Sequence, residues 1–148
     1  SLHPNSRRQR QMCIRDRFGI PEVKRGLAAA AGGLVRLPRQ IPSRVAMEMA
    51  LTGDFMDADR AMSLGLINQI APAGEALAQA KALAAKIAEN GPLAVKRSKQ
   101  VIKESIDWSQ DDMFDKQQTI VNPVFSSEDA IEGATAFAEK RKPNWKGR

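Results

Sequence analysis

The chain has 148 residues, of which 43% are hydrophobic and 27% charged, so it is long enough to bury the core of one globular domain. One cysteine and one histidine exclude an intramolecular disulfide framework and argue against a His/Cys metal site or a Ser-His-Asp triad, so we expect no metal. No apolar run approaches the roughly 20 residues of a membrane span, and a lone cysteine suits a reducing compartment, so we expect a cytoplasmic protein that does not enter membranes.

The net charge of +6 is concentrated at the start of the sequence. Five arginines against the single acid Asp16 give residues 1–17 a net charge of +4, which leaves +2 for residues 18–148. Residues 1–16 show no helical or alternating period, and we interpret them as a leader outside the fold, either a disordered tail or translated sequence fused at a truncated gene start. An RNA-binding arm would need aromatic residues between the arginines, and residues 1–17 contain none, so we expect no nucleic-acid partner. A mitochondrial presequence would need its arginines spread along one amphipathic face, which this segment also lacks.

Helical signals dominate the rest of the chain. Pro42-Ser43 predicts the start of a helix that runs to about Thr52, with Gly53 as its C-cap. A second, short helix is predicted to begin at the cap residue Asp57 and to end at Gly65. A strand is predicted at 66–70, followed by helices at 75–90 and from Pro92 to about Trp108. Ser109 is predicted to cap the next helix, and Ser126 or Ser127 the last one, which a non-helical tail from Pro143 follows. The pattern therefore predicts a mainly helical body with at most one or two strands.

The segment Phe18-Gly19-Ile20-Pro21-Glu22 places one carboxylate on a stiff turn. The proline fixes a backbone torsion, and Gly19 permits the close approach of another chain segment or a ligand. A carboxylate held in this way can serve as a positioned acid or base, although a surface or capping carboxylate has the same local pattern. Glu22 is therefore the candidate catalytic residue.

Four segments together resemble the crotonase (enoyl-CoA hydratase/isomerase) superfamily. They are FGIPEVKRGLAAAAGGLVRLPR (18–39), AMEMALTGDFMDADRAMSLGLINQI (46–70), NGPLAVKRSKQ (90–100) and SEDAIEGATAFAEKRKPNWKGR (127–148). The segments follow the order and spacing of the family, so the resemblance covers residues 17–148. It implies an α/β crotonase (ClpP/crotonase-like spiral) fold, with residues 17–71 as the C-terminal end of the spiral core and residues 72–148 as a mostly α-helical trimerisation region.

The resemblance implies an enoyl-CoA hydratase-type lyase of fatty-acid or acyl-CoA metabolism, which adds water to an α,β-unsaturated acyl-CoA. It implies no separate cofactor, since coenzyme A is part of the substrate. In this family two backbone N–H groups hold the thioester oxygen as it becomes an enolate, and two glutamates handle the water and the α-carbon proton. Glu22 matches the second glutamate, whereas the first glutamate and both oxyanion segments have no counterpart in this sequence.

Further site residues are implied by the same resemblance. Ala30, Gly32 and Gly33 match a small-residue segment that lines the acyl pocket, although tight packing of the turn on the next helix would need the same residues. Phe137 and Lys140 match positions that contact the CoA of a neighbouring subunit in a homotrimer or hexamer. A core phenylalanine and a solvated lysine at a helix end are the alternatives for this pair.

Other activities remain open within and beyond the family. SEDAIEG, FAEKR and the terminal WKGR also resemble carnitinyl-CoA (crotonobetainyl-CoA) dehydratases, and isomerases or hydrolases of the same fold are further alternatives. A catalytically inactive helical assembly module is an alternative of another class. Since an oxyanion hole is missing from these 148 residues, we expect them alone to show no measurable hydration of crotonyl-CoA.

Overall fold

The computed structural model describes residues 11–13 and 16–148. The chain forms two compact units, the first ending at Ala82 and the second comprising Leu83–Arg148. The boundary between the units lies within a helix, and the division into core and helical region expected after residue 71 stays a prediction. Residues 1–10 and 14–15, which make up most of the predicted leader, lie outside the described residues.

The first unit combines short helices with very short strands. Its elements are β1 (Gln11–Cys13), β2 (Arg17–Phe18), α1 (Gly33–Arg36), α2 (Ser43–Thr52), β3 (Met56–Asp57), α3 (Ala58–Ser63) and β4 (Gln69–Ala71), with 3-10 turns at Pro21–Arg25 and Leu37–Arg39. β1 and β4 pair in parallel, and β2 and β3 pair antiparallel, so the strands form two separate two-stranded ladders.

The strands correct the expectation of at most one or two. Four are present among the described residues, and the strand predicted at 66–70 begins only at Gln69. β1 lies inside the segment interpreted as a leader outside the fold, yet it pairs with β4 from Gln11 opposite Gln69 to Cys13 opposite Ala71. Strands of two or three residues depend on a partner distant in sequence and leave almost no local period to read.

The core of the first unit is built around α2. Gly53 ends this helix as predicted, in the left-handed conformation (φ 67°), and its N–H donates to the Met49 carbonyl at 3.0 Å. The predicted cap of α3 is also confirmed, because Asp57 Oδ1 accepts the N–H of Arg60 at 2.8 Å. The buried apolar cluster consists of Phe18, Ile41, Ala46, Met49, Met56, Ala58, Ala61 and Ile67.

The second unit is helical. The helix α4 (Ala76–Ala88) runs into it from the first unit, and α5 (Pro92–Glu104), a 3-10 turn (Ser105–Asp107), α6 (Met113–Phe125) and α7 (Glu128–Ala138) follow. α6 packs against both α5 and α7. Within the described part of the chain, no helix has the length and apolarity that crossing a membrane would require.

Two predicted helix ends in this unit are wrong. α5 ends at Glu104 rather than near Trp108, and α6 begins at Met113 rather than directly after Ser109. The Ser109 hydroxyl donates to the Asp112 carboxylate instead of accepting an N–H of the helix, so a turn separates the two helices. The pair Ser126/Ser127 is resolved in favour of Ser127, whose Oγ accepts the N–H of Ala130 at 3.0 Å.

Candidate active site

The candidate catalytic carboxylate lies on the 3-10 turn Pro21–Arg25. Pro21 begins the turn, where its missing N–H leaves no partner unsatisfied. The Glu22 carbonyl accepts the N–H of Leu27 at 3.1 Å, and the left-handed Gly26 (φ 68°) allows the chain to reverse at this point. The expected stiff turn is therefore present, with Glu22 as its second residue.

Glu22 lines an open pocket of about 150 Å³. The other lining residues are aliphatic and come from the turn, the segment after it and the end of α2: Ile20, Val23, Leu27, Ala28, Ala29, Leu34, Ala50 and Leu51. The lining thus holds one ionisable side chain among apolar neighbours. Such a composition suits an apolar ligand that must meet a single acid or base.

The Glu22 carboxylate has one oxygen without a protein partner. Its Oε2 is buried, and no described residue donates a hydrogen bond to it. A buried polar atom without a partner is costly in a folded protein, and a catalytic role is one explanation for such an exception. The side chain that carries this oxygen lines the apolar pocket, which makes Glu22 a candidate for proton exchange with a bound molecule.

The small residues predicted to line the acyl pocket lie next to it rather than in its wall. Ala28 and Ala29 are lining residues, whereas Ala30, Gly32 and Gly33 are not. A Cβ at Gly33 would lie 3.2 Å from Ile20 Cγ2 and 3.6 Å from Ala29 Cβ, so this glycine lets α1 begin directly behind two lining side chains. Their contact with an acyl chain stays a prediction, and Gly33 has a packing role in any case.

Phe137 and Lys140 lie in the second unit, at the end of α7. The Phe137 side chain is 88% exposed, which rules out the alternative of a core phenylalanine within this chain. Lys140 follows the helix in the left-handed conformation (φ 53°), and its N–H donates to the Phe137 carbonyl at 3.2 Å. The predicted contacts of both side chains with CoA remain predictions.

Sequence reasoning missed the contribution of α2 to the pocket. Ala50 and Leu51 sit in the last turn of a helix that was correctly predicted, and Leu51 remains 66% exposed. An apolar residue that a predicted helix leaves unburied would have been the available signal. Among residues 11–13 and 16–148 no cluster of three or more His, Cys, Asp or Glu side chains is arranged to hold a metal ion.

A family model and several known proteins match most of this chain. A model of the enoyl-CoA hydratase/isomerase family matches residues 12–148. The carnitinyl-CoA dehydratase of Proteus mirabilis is 38% identical over 135 residues, which are 88% of this chain and 52% of that protein. The enoyl-CoA hydratase EchA19 of Mycobacterium tuberculosis is 43% identical over 132 residues, 89% of this chain and 50% of that protein.

Solved structures give the same result. The crystal structure of an enoyl-CoA hydratase from Mycobacterium tuberculosis H37Rv superposes with a TM-score of 0.90 at 57% identity, covering 92% of this chain and 54% of that one. The chain therefore spans about half the length of the relatives it matches. Because the family model extends over nearly all of the sequence and the crotonase-fold structures superpose closely, the chain belongs to the enoyl-CoA hydratase/isomerase family and shares its fold.

Proposed function

We propose that these residues supply a proton-transfer carboxylate and part of the acyl pocket of an enoyl-CoA hydratase-type lyase. The observation that carries the proposal is the Glu22 carboxylate, whose buried Oε2 has no partner among the described residues and which lines an otherwise aliphatic pocket. Membership of the hydratase/isomerase family supports an α,β-unsaturated acyl-CoA as the substrate class.

The proposed chemistry is an addition of water in which Glu22 handles one proton. The water oxygen bonds to the β-carbon as one O–H bond of the water breaks, and that proton passes to a base that the family resemblance assigns to a glutamate outside these 148 residues. The π electrons of the double bond give an enolate of the thioester, and a proton is then delivered to its α-carbon. We assign this delivery to the carboxylic acid form of Glu22 and its removal, in the reverse direction, to the carboxylate. The aliphatic wall keeps competing water away from the side chain, which strengthens the proton transfer.

Two further parts of the proposal concern the rest of the site. The enolate needs hydrogen-bond donors at the thioester oxygen, and the family resemblance assigns these and a second glutamate to segments outside these 148 residues. The activity is therefore proposed for a protein that includes such segments. We also propose that Phe137 and Lys140 contact the CoA of a neighbouring subunit in a trimer or hexamer, because an exposed aromatic ring and a lysine suit an adenine and a phosphate.

The test uses the protein expressed from its complete reading frame and crotonyl-CoA as the substrate. Glu22→Gln keeps the shape of the side chain and removes the proton-exchanging group, so we expect kcat to fall by about 10²- to 10⁴-fold. Glu75→Gln makes the same change at an exposed position that is not part of the pocket lining and should leave kcat unchanged. Equal activity of the wild type and Glu22→Gln would refute the assignment of Glu22.

A carnitinyl-CoA dehydratase activity is the second candidate, because relatives with that name are 38% identical to the chain. Its substrate carries a trimethylammonium group, which proteins typically hold with aromatic rings or carboxylates. The described pocket lining contains no aromatic residue and no carboxylate besides Glu22, so it favours an aliphatic acyl group. Assaying crotonobetainyl-CoA beside crotonyl-CoA separates the two candidates, and a higher kcat/KM for crotonobetainyl-CoA would make the dehydratase the better assignment.

A further inference from the structure

We infer that the segment Gly53-Asp54-Phe55, which we call the clamp loop, positions Glu22 for proton transfer. The inference rests on the proposed function, since it assigns positioning residues to the same carboxylate. The clamp loop follows α2 and leads into β3, and it contacts the turn that carries Glu22. Three separate contacts join the two segments.

The first contact continues the ladder between β2 and β3. Arg17 lies opposite Asp57, and Phe18 lies opposite Met56, with both Phe18 and Met56 buried. The next pair in this antiparallel register is Gly19 with Phe55. The start of the FGIPE segment is therefore fixed in register against the clamp loop.

The ring of Phe55 occupies the space where a side chain of residue 19 would lie. A Cβ on Gly19 would lie 2.7 Å from Cδ1 and 2.9 Å from Cε1 of Phe55, closer than carbon atoms approach in proteins. The ring can therefore lie against the backbone just ahead of Pro21 only because residue 19 is glycine. The 3-10 turn begins two residues later, at Pro21.

A reciprocal contact lies beyond Glu22. Gly53 is buried, and a Cβ there would lie 2.9 Å from Lys24 Cγ and 3.1 Å from Val23 Cγ1. Each segment thus contributes a glycine that admits a side chain of the other segment, one on either side of Glu22. An ion pair of 2.6 Å between Lys24 Nζ and Asp54 Oδ1 closes the contact at the surface, where exposure makes it weak.

The position of Glu22 depends on these backbone contacts. Since Oε2 of Glu22 receives no hydrogen bond from the described residues, nothing in that part of the chain fixes this oxygen by a direct polar contact. Its place in the pocket follows from where the turn is held. A displacement of the order of 1 Å in a reacting group can cost roughly 10²-fold in rate, so loosening the clamp should lower kcat while substrate binding changes little.

The test compares Gly19→Ala, Phe55→Ala, the double variant and Phe55→Leu in the protein expressed from its complete reading frame. Gly19→Ala forces the ring and the turn apart, so we expect kcat for crotonyl-CoA to fall by about 10- to 100-fold with KM changed less than threefold. Phe55→Ala removes the obstacle to the methyl group, so the double variant should be no worse than Phe55→Ala alone. Phe55→Leu keeps an apolar cover and should retain most of the activity.

A second measurement does not depend on activity. The N–H groups of Gly26 and Leu27 donate to the carbonyls of Val23 and Glu22, both at 3.1 Å, so their hydrogen exchange reports on the turn. We expect faster exchange of both amides in Gly19→Ala, and exchange in the double variant no faster than in Phe55→Ala alone. Gly91→Ala is the matched control, because that glycine has a negative φ and an added Cβ would meet only Trp145 at 3.7 Å.

The possible outcomes separate the two proposals. Additive losses in the double variant, or faster amide exchange with unchanged kcat, would overturn the positioning role. Loss of kcat together with a large fall in melting temperature in every Phe55 variant, Phe55→Leu included, would mean a purely structural role and would also overturn it. Failure of the proposed function shows elsewhere, as a wild-type protein without hydratase activity or a Glu22→Gln variant as active as the wild type.

Discussion

Two acidic side chains of α7 hold the C-terminal tail through hydrogen bonds to backbone N–H groups. The carboxylate of Asp129 is buried and accepts the N–H of Lys146 at 2.6 Å and of Gly147 at 2.9 Å. One turn further on, the Glu132 carboxylate accepts hydrogen bonds from both terminal nitrogens of Arg141, at 2.6 and 3.0 Å. These donors satisfy the hydrogen-bonding capacity of both carboxylates.

The pair formed by Glu132 and Arg141 predicts a pH-dependent contribution to stability. Hydrogen bonds from Arg141, followed by the N–H of Asn144, lower the pKa of Glu132 from 4.5 to about 2. Because the folded-state pKa is depressed, the stabilisation is complete above pH 4.5 and is lost as the pH falls through about 2. We expect the wild type to melt at a higher temperature than Glu132→Gln at neutral pH, and the difference to close across this range.

Thermal unfolding of both proteins at a series of pH values checks this prediction. The control is Glu75→Gln, which removes an exposed carboxylate that forms no ion pair within the described residues. Its melting temperature should follow that of the wild type throughout the titration. A difference between the wild type and Glu132→Gln that stays constant down to the lowest pH would contradict the proposed cause.

At the scale of single elements, the first turn of α7 is capped by the side chain of Ser127 and not by that of the adjacent Ser126. Ser127 is buried, and its Oγ accepts the N–H of Ala130 at 3.0 Å and donates to the Val124 carbonyl at 2.6 Å. The exposed Ser126 reaches only the Pro123 carbonyl, at 3.5 Å. The two serines therefore offer a matched comparison of capping.

We expect Ser127→Ala to lower the free energy of unfolding by about 1 kcal/mol, because the first turn of α7 loses the acceptor for one of its N–H groups. Ser126→Ala should change it by less than about 0.5 kcal/mol, the usual range for exposed sites. Urea unfolding of the two variants beside the wild type measures both values. Equal losses would show that the cap of α7 is not formed by Ser127.

Helices with local end signals could be predicted from the sequence, and contacts between distant segments could not. Gly53 and Asp57 fix the ends of α2 and α3 through their own backbone or side chain, and both were predicted correctly. The start of α6 was not, because Ser109 forms a hydrogen bond with Asp112 in a turn that has the same residues as a cap. The strand β1 escaped prediction because it forms only against β4.

The candidate site shows the same division. Glu22 and its turn were predicted from five consecutive residues and from the family resemblance. The pocket beside it also needs Ala50 and Leu51 of α2, which are distant in sequence, and the clamp at Gly19 requires Phe55. No local pattern states which residue a glycine will face, so this part of the site becomes visible only in the fold.

At the scale of the whole molecule, the C-terminal tail packs against other segments of the second unit through Trp145. The indole of Trp145 packs beside two glycines, and an added Cβ would lie 3.7 Å from the ring at Gly91 and 3.2 Å from it at Gly133. The indole N–H donates to the Glu89 carbonyl at 2.8 Å, just after the end of α4. The next two backbone N–H groups, those of Lys146 and Gly147, donate to the Asp129 carboxylate of α7. The tail therefore connects the start of α5 with α7.

Substitutions of Trp145 should separate the packing of the ring from its hydrogen bond. Burying an aromatic ring fully is worth about 3–5 kcal/mol by truncation to alanine, so for this half-buried ring we expect Trp145→Ala to cost about 2 kcal/mol of unfolding free energy. Trp145→Phe keeps much of the packing and leaves the Glu89 carbonyl without its donor, at a cost of about 1 kcal/mol. Urea unfolding measures both values.

Trp108→Phe is the matched control for this comparison, because Trp108 is also half-buried but its indole N–H forms no hydrogen bond among residues 16–148. It should cost less than Trp145→Phe, since no carbonyl loses a donor. Hydrogen exchange of the α7 amides should rise in Trp145→Ala and stay unchanged in Trp108→Phe, because only the first variant releases the tail from the helix. Unchanged protection of α7 in Trp145→Ala would mean that the hydrogen bonds of Asp129 and Glu132 hold the tail without the ring.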